Sequence, residues 1–383
     1  MAHRAVACVV VVALAGSACG GTTKRASPAP PPRPQLTPRL AHTLDAELRD
    51  GFAQQAIAGV SAAIVFPDGR EWSAADGLAV IATKQPMTPR TSMPLDSVTK
   101  TATAALALRY AEEGRLRLDD TIKRWYPAWN GDPRATLRDL LGHVAGTRDS
   151  RDSFYVRVGS HPHATVTPRQ AIAATPRAGP RTHEAVYSNT GFIIAGLILQ
   201  RAGRQSVAAG MRHELFDHPG GAGLAMQPTE RAHPPRAYSY WYPRGTGNRP
   251  VAVNRGGSLL PARSWASAAW TAGALSGDVP SLARWGQELL GGHILKPESL
   301  RAMTRFHPGA FPLGYGLGLG RDTIDGHTMW GHTGDGFGSH TELWHVPADD
   351  LTIAVSWNDE TLDREAVFLP HLLRAVWASE KRG

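Results

Sequence analysis

Cysteine is nearly absent from this chain of 383 residues. Both cysteines, Cys8 and Cys19, lie among the first 19 residues. The rest of the chain therefore contains no disulfide bond, no thiol nucleophile and no cysteine-ligated zinc site. A fold without disulfides depends on its core for stability. A hydrophobic content of 42% in a chain of this length is ample for a large core.

The sequence also lacks the usual patterns of nucleic-acid, metal and nucleotide sites. The net charge of +8 comes mainly from arginines that are scattered along the chain and form no basic stripe with interleaved aromatic residues. The 16 histidines form no H-E-x-x-H pattern, and the glycines at 314–320 do not have the spacing of a dinucleotide-binding loop. We therefore expect no nucleic-acid partner, no metal and no cofactor.

The first 19 residues are typical of an export signal. A short basic start precedes the apolar run Ala5–Ala15, which is too short to span a bilayer as a helix. Cys19 follows small residues, as in bacterial lipoprotein signals, although Gly16 stands where such signals usually carry an aliphatic residue. We expect lipidation of Cys19 and a location on the outer face of the cell membrane, with plain secretion as the alternative.

The remainder divides into a linker and a domain. Residues 20–38 are polar and rich in proline, which predicts a semi-rigid linker. Within the domain 39–379, strand-like segments occur in 39–95 and again in 236–379, whereas 96–235 is mainly helical. The sequence therefore predicts an α/β fold of the α+β kind: an antiparallel sheet built from both ends of the chain, flanked by helices, with the helical part inserted as a second unit.

Ser97 and Lys100 stand three residues apart at the start of a long predicted helix. Their side chains share one helix face. The chain has only six lysines, so such a pair is uncommon by chance. A serine hydroxyl becomes a strong nucleophile when a base takes its proton, and a buried lysine with a lowered pKa can be that base. The alternative is a capping serine followed by a surface lysine.

Tyr187 and Asn189 form a second candidate pair in the motif Tyr-Ser-Asn. The motif lies just before an apolar helix, where a loop can present a hydroxyl and an amide to one cleft. Tyr187 can act as a base if nearby cations lower its pKa. The alternative is a packed tyrosine with Asn189 as a helix cap.

The third candidate group is His332, Thr333 and Gly334, on a predicted strand. Thr333 offers a hydroxyl, and Gly334 lets a substrate backbone come close. His332 is able to carry charge or relay a proton near neutral pH. The alternative is an ordinary strand end.

These motifs belong to a longer series. The chain carries, in this order, SVTKTATAALALRYAEEG, LRDLLGHVAG, VYSNTGFIIAGLILQ, GYGLGLG and WGHTGDGFG. The series closely resembles the penicillin-recognising serine hydrolases. Within them it is most similar to class C beta-lactamases, exported D-alanyl-D-alanine carboxypeptidases and their esterase relatives. The resemblance covers roughly residues 40–379 and implies a beta-lactamase/transpeptidase-like fold.

The resemblance also implies roles for the catalytic residues. Ser97 would be the acylated nucleophile, and Lys100 and Tyr187 would share the duties of general base and acid. Asn189 would orient Lys100 and bind the substrate amide. Several relatives carry His-Thr-Gly where others carry Lys-Thr-Gly.

Substrate recognition follows from the same resemblance. His332 and Thr333, followed by Gly334, would recognise the polar or carboxylate end of the substrate. The backbone N–H groups of Ser97 and Asp335 would form the oxyanion hole.

Two residues depart from the family pattern. Asp96 stands where a small residue usually precedes the nucleophile, and we interpret it as the N-cap of the following helix. Asp335 stands where Ser, Thr or Gly usually follows His-Thr-Gly. A carboxylate there would repel a substrate carboxylate. This disfavours an efficient beta-lactamase or DD-peptidase and favours an esterase or amidase of neutral or cationic substrates.

The sequence thus predicts an exported, lipid-anchored serine hydrolase that acts through an acyl-serine intermediate on an ester or amide. We expect a small-molecule or peptidoglycan-like substrate and a monomer. The alternative is a catalytically weak cell-wall-binding or regulatory protein that retains the penicillin-binding fold.

Overall fold

The computed structural model describes residues 33–55, 57–218, 220–241, 250–253, 257–359 and 368–380. The predicted export signal, Cys19 and most of the predicted linker lie outside these residues. None of the helices within the described ranges is both long enough and apolar enough to cross a membrane.

Twelve strands are described, most of them in one large sheet. They are β1 (Gly59–Val65), β2 (Glu71–Val80), β3 (Gln85–Pro86), β4 (Met93–Asp96), β5 (Ala225–Met226), β6 (Tyr240–Trp241), β7 (Val251–Ala252), β8 (Leu275–Gly277), β9 (Gly320–Ile324), β10 (His327–Gly336), β11 (Ser339–Val346) and β12 (Leu351–Trp357).

The described segments also contain twelve α-helices. They are α1 (Pro38–Ala53), α2 (Thr99–Glu112), α3 (Ile122–Trp125), α4 (Leu137–Leu141), α5 (Asp152–Ser160), α6 (Pro168–Ala173), α7 (Asn189–Gly203), α8 (Val207–Met211), α9 (Arg263–Ala269), α10 (Val279–Leu290), α11 (Pro297–Met303) and α12 (Phe368–Glu380). A π-helical turn at Arg212–Phe216 extends α8, and a 3-10 turn at Trp270–Ala272 extends α9.

The main sheet has seven strands in the order β3-β2-β1-β12-β11-β10-β9. Every pairing in it is antiparallel, and β1 pairs with β12, so the two ends of the chain meet at the centre of the sheet. The predicted architecture, an antiparallel sheet built from both ends of the chain and flanked by helices, is confirmed.

The sheet is covered on both faces, which explains why β1 is buried along its whole length. Val60, Ala62 and Ile64 pack in one core cluster with residues of α1 and α12. Ala63 and Val65 point the other way, into the larger core cluster that includes α2 and α10. This alternation follows from the two-residue period of a strand.

The central helix α2 lies inside the protein, and eleven of its fourteen residues are buried. Its many alanines let neighbouring elements approach closely. The predicted capping role of Asp96 is wrong. Asp96 ends β4 with a φ of +44°, and Val98 occupies the N-cap position without a side-chain capping bond. The hydroxyl of Thr99 instead donates to the Asp96 carbonyl oxygen at 2.6 Å.

The compact unit begins at Arg33, within the segment that we assigned to the linker. The Arg33 guanidinium donates to Asp350 at 2.9 Å, and the Leu36 carbonyl accepts from Arg70 at 2.5 Å. Residues 33–37 therefore contact the domain before α1 begins at Pro38.

Candidate active site

The candidate site lies where α2, α7 and β10 meet. Ser97 stands between the end of β4 and the start of α2, which also carries Lys100. Tyr187 precedes α7, and Asn189 is the first residue of α7. The packing of α2 against α7 brings the starts of these two helices together. Lys100 and Asn189 are therefore neighbours, although 89 positions separate them in the chain.

Lys100 is the centre of the site. Its amine donates to Ser97 Oγ at 2.8 Å, Asn189 Oδ1 at 2.8 Å and the carbonyl oxygen of Ala272 at 2.6 Å. The side chain is fully buried, and no carboxylate within the described ranges lies at ion-pair distance from it. Burial lowers the pKa of Lys100 to about 7, against the opposing negative charge of Asp149. A substantial neutral fraction therefore exists at neutral pH, and it can take the Ser97 proton.

Tyr187 lines the same cleft, with its ring centre 4.8 Å from Lys100 Nζ. The ring is partly exposed, but the hydroxyl interacts with Ser97 in a buried position. Burial raises the pKa of Tyr187 well above its usual range, so the hydroxyl stays protonated. The expectation that cations lower this pKa is not supported. Tyr187 is suited to donate a proton to a leaving group, and Lys100 is the better base.

Gly334 makes close contact between β10 and the nucleophile possible. A Cβ atom at this position would lie 2.4 Å from the Leu95 carbonyl oxygen and 3.1 Å from Ser97 N. We expected that the absence of a side chain at Gly334 would let the substrate backbone come close. The space beside Gly334 is instead occupied by Leu95, Asp96 and Ser97. The contact brings the backbone of Ser97 next to the strand that carries Asp335. The oxyanion hole formed by these two N–H groups stays a prediction.

His332 is buried and its two ring nitrogens have partners. Nδ1 donates to the Thr333 carbonyl oxygen, and Nε2 accepts from the Tyr315 hydroxyl at 2.9 Å. Burial, together with the charge of Lys100, lowers the pKa of His332 to about 3. The imidazole is therefore neutral at physiological pH. We no longer expect it to supply a positive charge for a substrate carboxylate.

Asp335 forms an ion pair that was not predicted from the sequence. Its carboxylate accepts from His340 Nδ1 at 2.6 Å, and Glu342 lies 3.6 Å from the other ring nitrogen. Burial opposes protonation of the imidazole, but hydrogen bonding to Asp335 and Glu342 raises the pKa of His340 to about 10. The imidazolium thus offsets part of the Asp335 charge. The sequence feature that could have indicated this ion pair is Glu342, because a glutamate within a buried strand requires a partner for its charge.

Asp96 joins the end of β4, next to the nucleophile, to the start of β11. Its carboxyl group accepts from the Ser339 hydroxyl at 2.9 Å and from the indole N–H of Trp265 at 3.4 Å. Burial raises the pKa of Asp96 to about 7. Asp96 and Lys100 therefore both change protonation state near pH 7. Asp96 is hydrogen-bonded to Ser339, whereas Lys100 is hydrogen-bonded to the nucleophile Ser97.

Two cavities meet at Ser97. The larger, about 610 Å³, runs along β10 towards the start of α12 and includes Thr333, Asp335 and Glu342 in its lining. The smaller, about 90 Å³, lies between α5, α7 and α9 and is mainly apolar, with Phe154 and Ile193 in its wall. Because both cavities reach Ser97, two different parts of one substrate can occupy them while its carbonyl carbon lies at Ser97.

The described part of the chain contains no cluster of three or more His, Cys, Asp or Glu side chains that could hold a metal ion. The hydrogen bonds of Lys100 with Ser97, Asn189 and Ala272 bring the reacting groups together. Nucleophile, base and proton donor are the elements needed for acyl transfer to serine.

A serine hydrogen-bonded to a buried lysine, beside a tyrosine and an asparagine, is the arrangement of an active-site serine hydrolase. The chain belongs to the beta-lactamase family, whose model matches residues 44–376. It is a serine hydrolase of the beta-lactamase type with a penicillin-binding-protein-like fold.

Among curated proteins, the chain is similar to D-aminopeptidases of Brucella anthropi and Brucella ovis, with 29% and 28% identity over 295 residues. These matches cover 74% of this chain and 53% of each relative. The chain thus spans about half the length of these relatives.

Among solved structures, the D-amino acid amidase from Ochrobactrum anthropi SV3 complexed with D-phenylalanine gives a TM-score of 0.77 at 22% identity, covering 89% of this chain and 99% of that chain. A D-stereospecific amidohydrolase from Streptomyces sp. gives a TM-score of 0.72 at 24% identity, covering 86% and 98%. An octameric penicillin-binding protein homologue from Pyrococcus abyssi gives 0.70 at 20% identity, covering 89% and 77%. These likenesses show the shared fold.

The role of Lys100 as base predicts a pH dependence. Only the neutral amine accepts a proton, so kcat/KM on an activated ester rises about tenfold per pH unit below the pKa of Lys100 and levels off above about 7. The measurement is a pH–rate profile from pH 5 to 9.

Asp96→Asn is the matched control, because Asp96 titrates in the same range. The inflection is expected to remain in this variant, but at somewhat lower pH, because the Asp96 charge favours the ammonium form of Lys100. Its disappearance in Asp96→Asn, or a flat wild-type profile, contradicts the assignment to Lys100.

Proposed function

We propose that this protein hydrolyses amides of D-amino acids, or short peptides that begin with one, when the substrate carries a free α-amino group. The reaction begins with attack of Ser97 Oγ on the amide carbonyl carbon, while Lys100 takes the hydroxyl proton. Tyr187 then donates a proton to the leaving amine as the C–N bond breaks, and Lys100 passes the proton that it took from Ser97 to Tyr187. Water hydrolyses the acyl-serine and regenerates the hydroxyl.

The observation that carries this proposal is the negative character of the larger cavity. Asp322, Asp335 and Glu342 line it, and no lysine or arginine is among its lining residues in the described chain. His332, which also lines it, is neutral for the reasons given above. A cationic ammonium group is favoured in such surroundings, and a substrate carboxylate is disfavoured.

Glu342 is a specific candidate for the ammonium contact. Its Oε2 accepts from the indole N–H of Trp344 at 3.0 Å, while its buried Oε1 forms an ion pair with the His340 imidazolium at 3.6 Å. His340 therefore offsets part of the Glu342 charge, as it does that of Asp335. Glu342 also faces Thr333 across the β10–β11 ladder, which places it beside the strand next to Ser97.

The smaller cavity supports a small apolar side chain on the acyl part of the substrate. Its volume of about 90 Å³ is less than the roughly 150 Å³ of an apolar cavity known to hold benzene. We infer that D-alanine and D-valine derivatives fit better than D-phenylalanine derivatives. The support for the D configuration is the similarity of the chain to D-aminopeptidases and to a D-amino acid amidase.

The catalytic proposal predicts hydrolysis of D-alanine and D-valine p-nitroanilides in preference to their L enantiomers. Ser97→Ala and Lys100→Ala are each expected to lower kcat/KM by at least about 10⁴-fold, because nucleophile and base act as a unit. Circular dichroism and Tm serve as controls for folding. Wild-type turnover by Ser97→Ala would falsify the mechanism, and equal rates on both enantiomers would overturn the substrate assignment.

The charge of the cavity predicts a second result. Two unit charges about 6 Å apart interact by roughly 2–3 kcal/mol at an effective dielectric near 20, and the His340 imidazolium offsets part of this. Asp335→Ser is therefore expected to reduce the preference for D-alanine p-nitroanilide over its N-acetyl derivative by about tenfold. Asp325→Ser, which removes a surface carboxylate paired with Arg374, is the matched control. An unchanged ratio in Asp335→Ser would show that its carboxylate does not act on substrate.

We also propose that the protein is exported and anchored to the membrane through lipidated Cys19. The support is the sequence of the first 19 residues. The wild-type protein is expected to partition into the detergent phase of a Triton X-114 extract, and Cys19→Ser is expected to lose this behaviour or to remain unprocessed. Recovery of all wild-type protein in the aqueous phase would overturn the anchor and leave the hydrolase proposal intact.

A further inference from the structure

Asp149 is a carboxylate beside the site that was not predicted from the sequence. It lies in the segment between α4 and α5, and its two oxygens accept three hydrogen bonds from the start of α7. Oδ2 accepts from Asn189 Nδ2 at 3.0 Å. Oδ1 accepts from Ser188 Oγ at 3.0 Å and from the backbone N–H of Thr190 at 3.1 Å.

These contacts decide which way the Asn189 side chain faces. An ionised carboxylate only accepts hydrogen bonds, so Asp149 requires the NH₂ end of the amide. The amide oxygen of Asn189 then faces Lys100 Nζ at 2.8 Å. With the amide reversed, its NH₂ group would face the Lys100 amine, and its oxygen would face the carboxylate. Asp149 thereby fixes the acceptor on which the position of Lys100 depends.

Asp149 also contributes charge. Among the groups whose charge favours the ammonium form of Lys100, it has the largest effect, although it lies beyond ion-pair distance. Its position at the N-terminus of α7 is favourable for a carboxylate, because the helix dipole favours negative charge there and the Thr190 N–H has no acceptor within the helix. The segment before α5 and the start of α7 are therefore joined at the point from which Asn189 contacts Lys100.

We propose that Asp149 is a positioning residue of the hydrolase, which holds the Asn189 amide oriented towards Lys100 and so keeps Lys100 aligned on Ser97. This inference rests on the acyl-serine mechanism proposed above, but not on the identity of the substrate.

The test is the rate of covalent labelling of Ser97 by a fluorophosphonate, measured from pH 5 to 9 in the full chain. In this reaction the Ser97 oxygen bonds to phosphorus, fluoride leaves, and the serine proton passes to Lys100. Asp149→Asn keeps the size of the side chain but removes its charge and its requirement for an NH₂ partner. We expect labelling at the plateau to fall at least about tenfold, and the acid limb to move to lower pH.

Asp139→Asn is the matched control. Asp139 also caps a helix, in the capping box of α4, and pairs with Arg181, but it does not contact Asn189 or Lys100. This variant is expected to lose stability while keeping the wild-type labelling rate and pH profile. If Asp149→Asn behaves in the same way, the positioning role is overturned.

If Asp149→Asn does not fold, Asp149→Glu is measured in its place. The longer side chain keeps the charge but displaces the carboxylate, so labelling is expected to fall at least about fivefold while the acid limb stays in place. A wild-type rate in Asp149→Glu overturns the proposal. Wild-type labelling without hydrolysis of any D-amino acid amide would contradict the proposed substrate and leave the test of Asp149 valid.

Discussion

The burial of the Lys100 amine is the constraint on which the rest of the site depends. A buried amine is stable only if its donors are satisfied, and here the three acceptors come from three places: the start of α2, the start of α7 and the 3-10 turn at Trp270–Ala272. These acceptors are neutral, so burial lowers the pKa of the amine towards neutrality. A lysine paired directly with a carboxylate would keep its proton and would be a poor base.

The fold also places the strand β10 beside the nucleophile Ser97. β10 comes from the C-terminal half of the chain and meets the segment before α2 because β1 and β12 join the two halves at the centre of the sheet. Gly334 permits close contact between β10 and the backbone of Ser97. Asp96 holds the start of β11 in place by accepting a hydrogen bond from Ser339. The carboxylates on β10 and β11 then give the larger cavity its negative character.

Part of this site was predictable because the information is local. Ser97 and Lys100 share a helix face by their spacing, and Asn189 begins an apolar helix. The sheet was predictable from the placement of strand-like segments at both ends of the chain. The charge states were not predictable, because they depend on burial and on distant partners. His332 is neutral because it is buried and lies near the Lys100 amine, and His340 is charged because it is hydrogen-bonded to Asp335 and Glu342.

The central claim is that Ser97 becomes covalently acylated with Lys100 as its base. The most direct measurement is intact mass spectrometry after incubation with a fluorophosphonate, followed by peptide mapping of the modified residue. A single adduct is expected on Ser97 in the wild-type protein, absent in Ser97→Ala and formed far more slowly in Lys100→Ala. An adduct on another residue, or equal labelling of Ser97→Ala, would contradict the account.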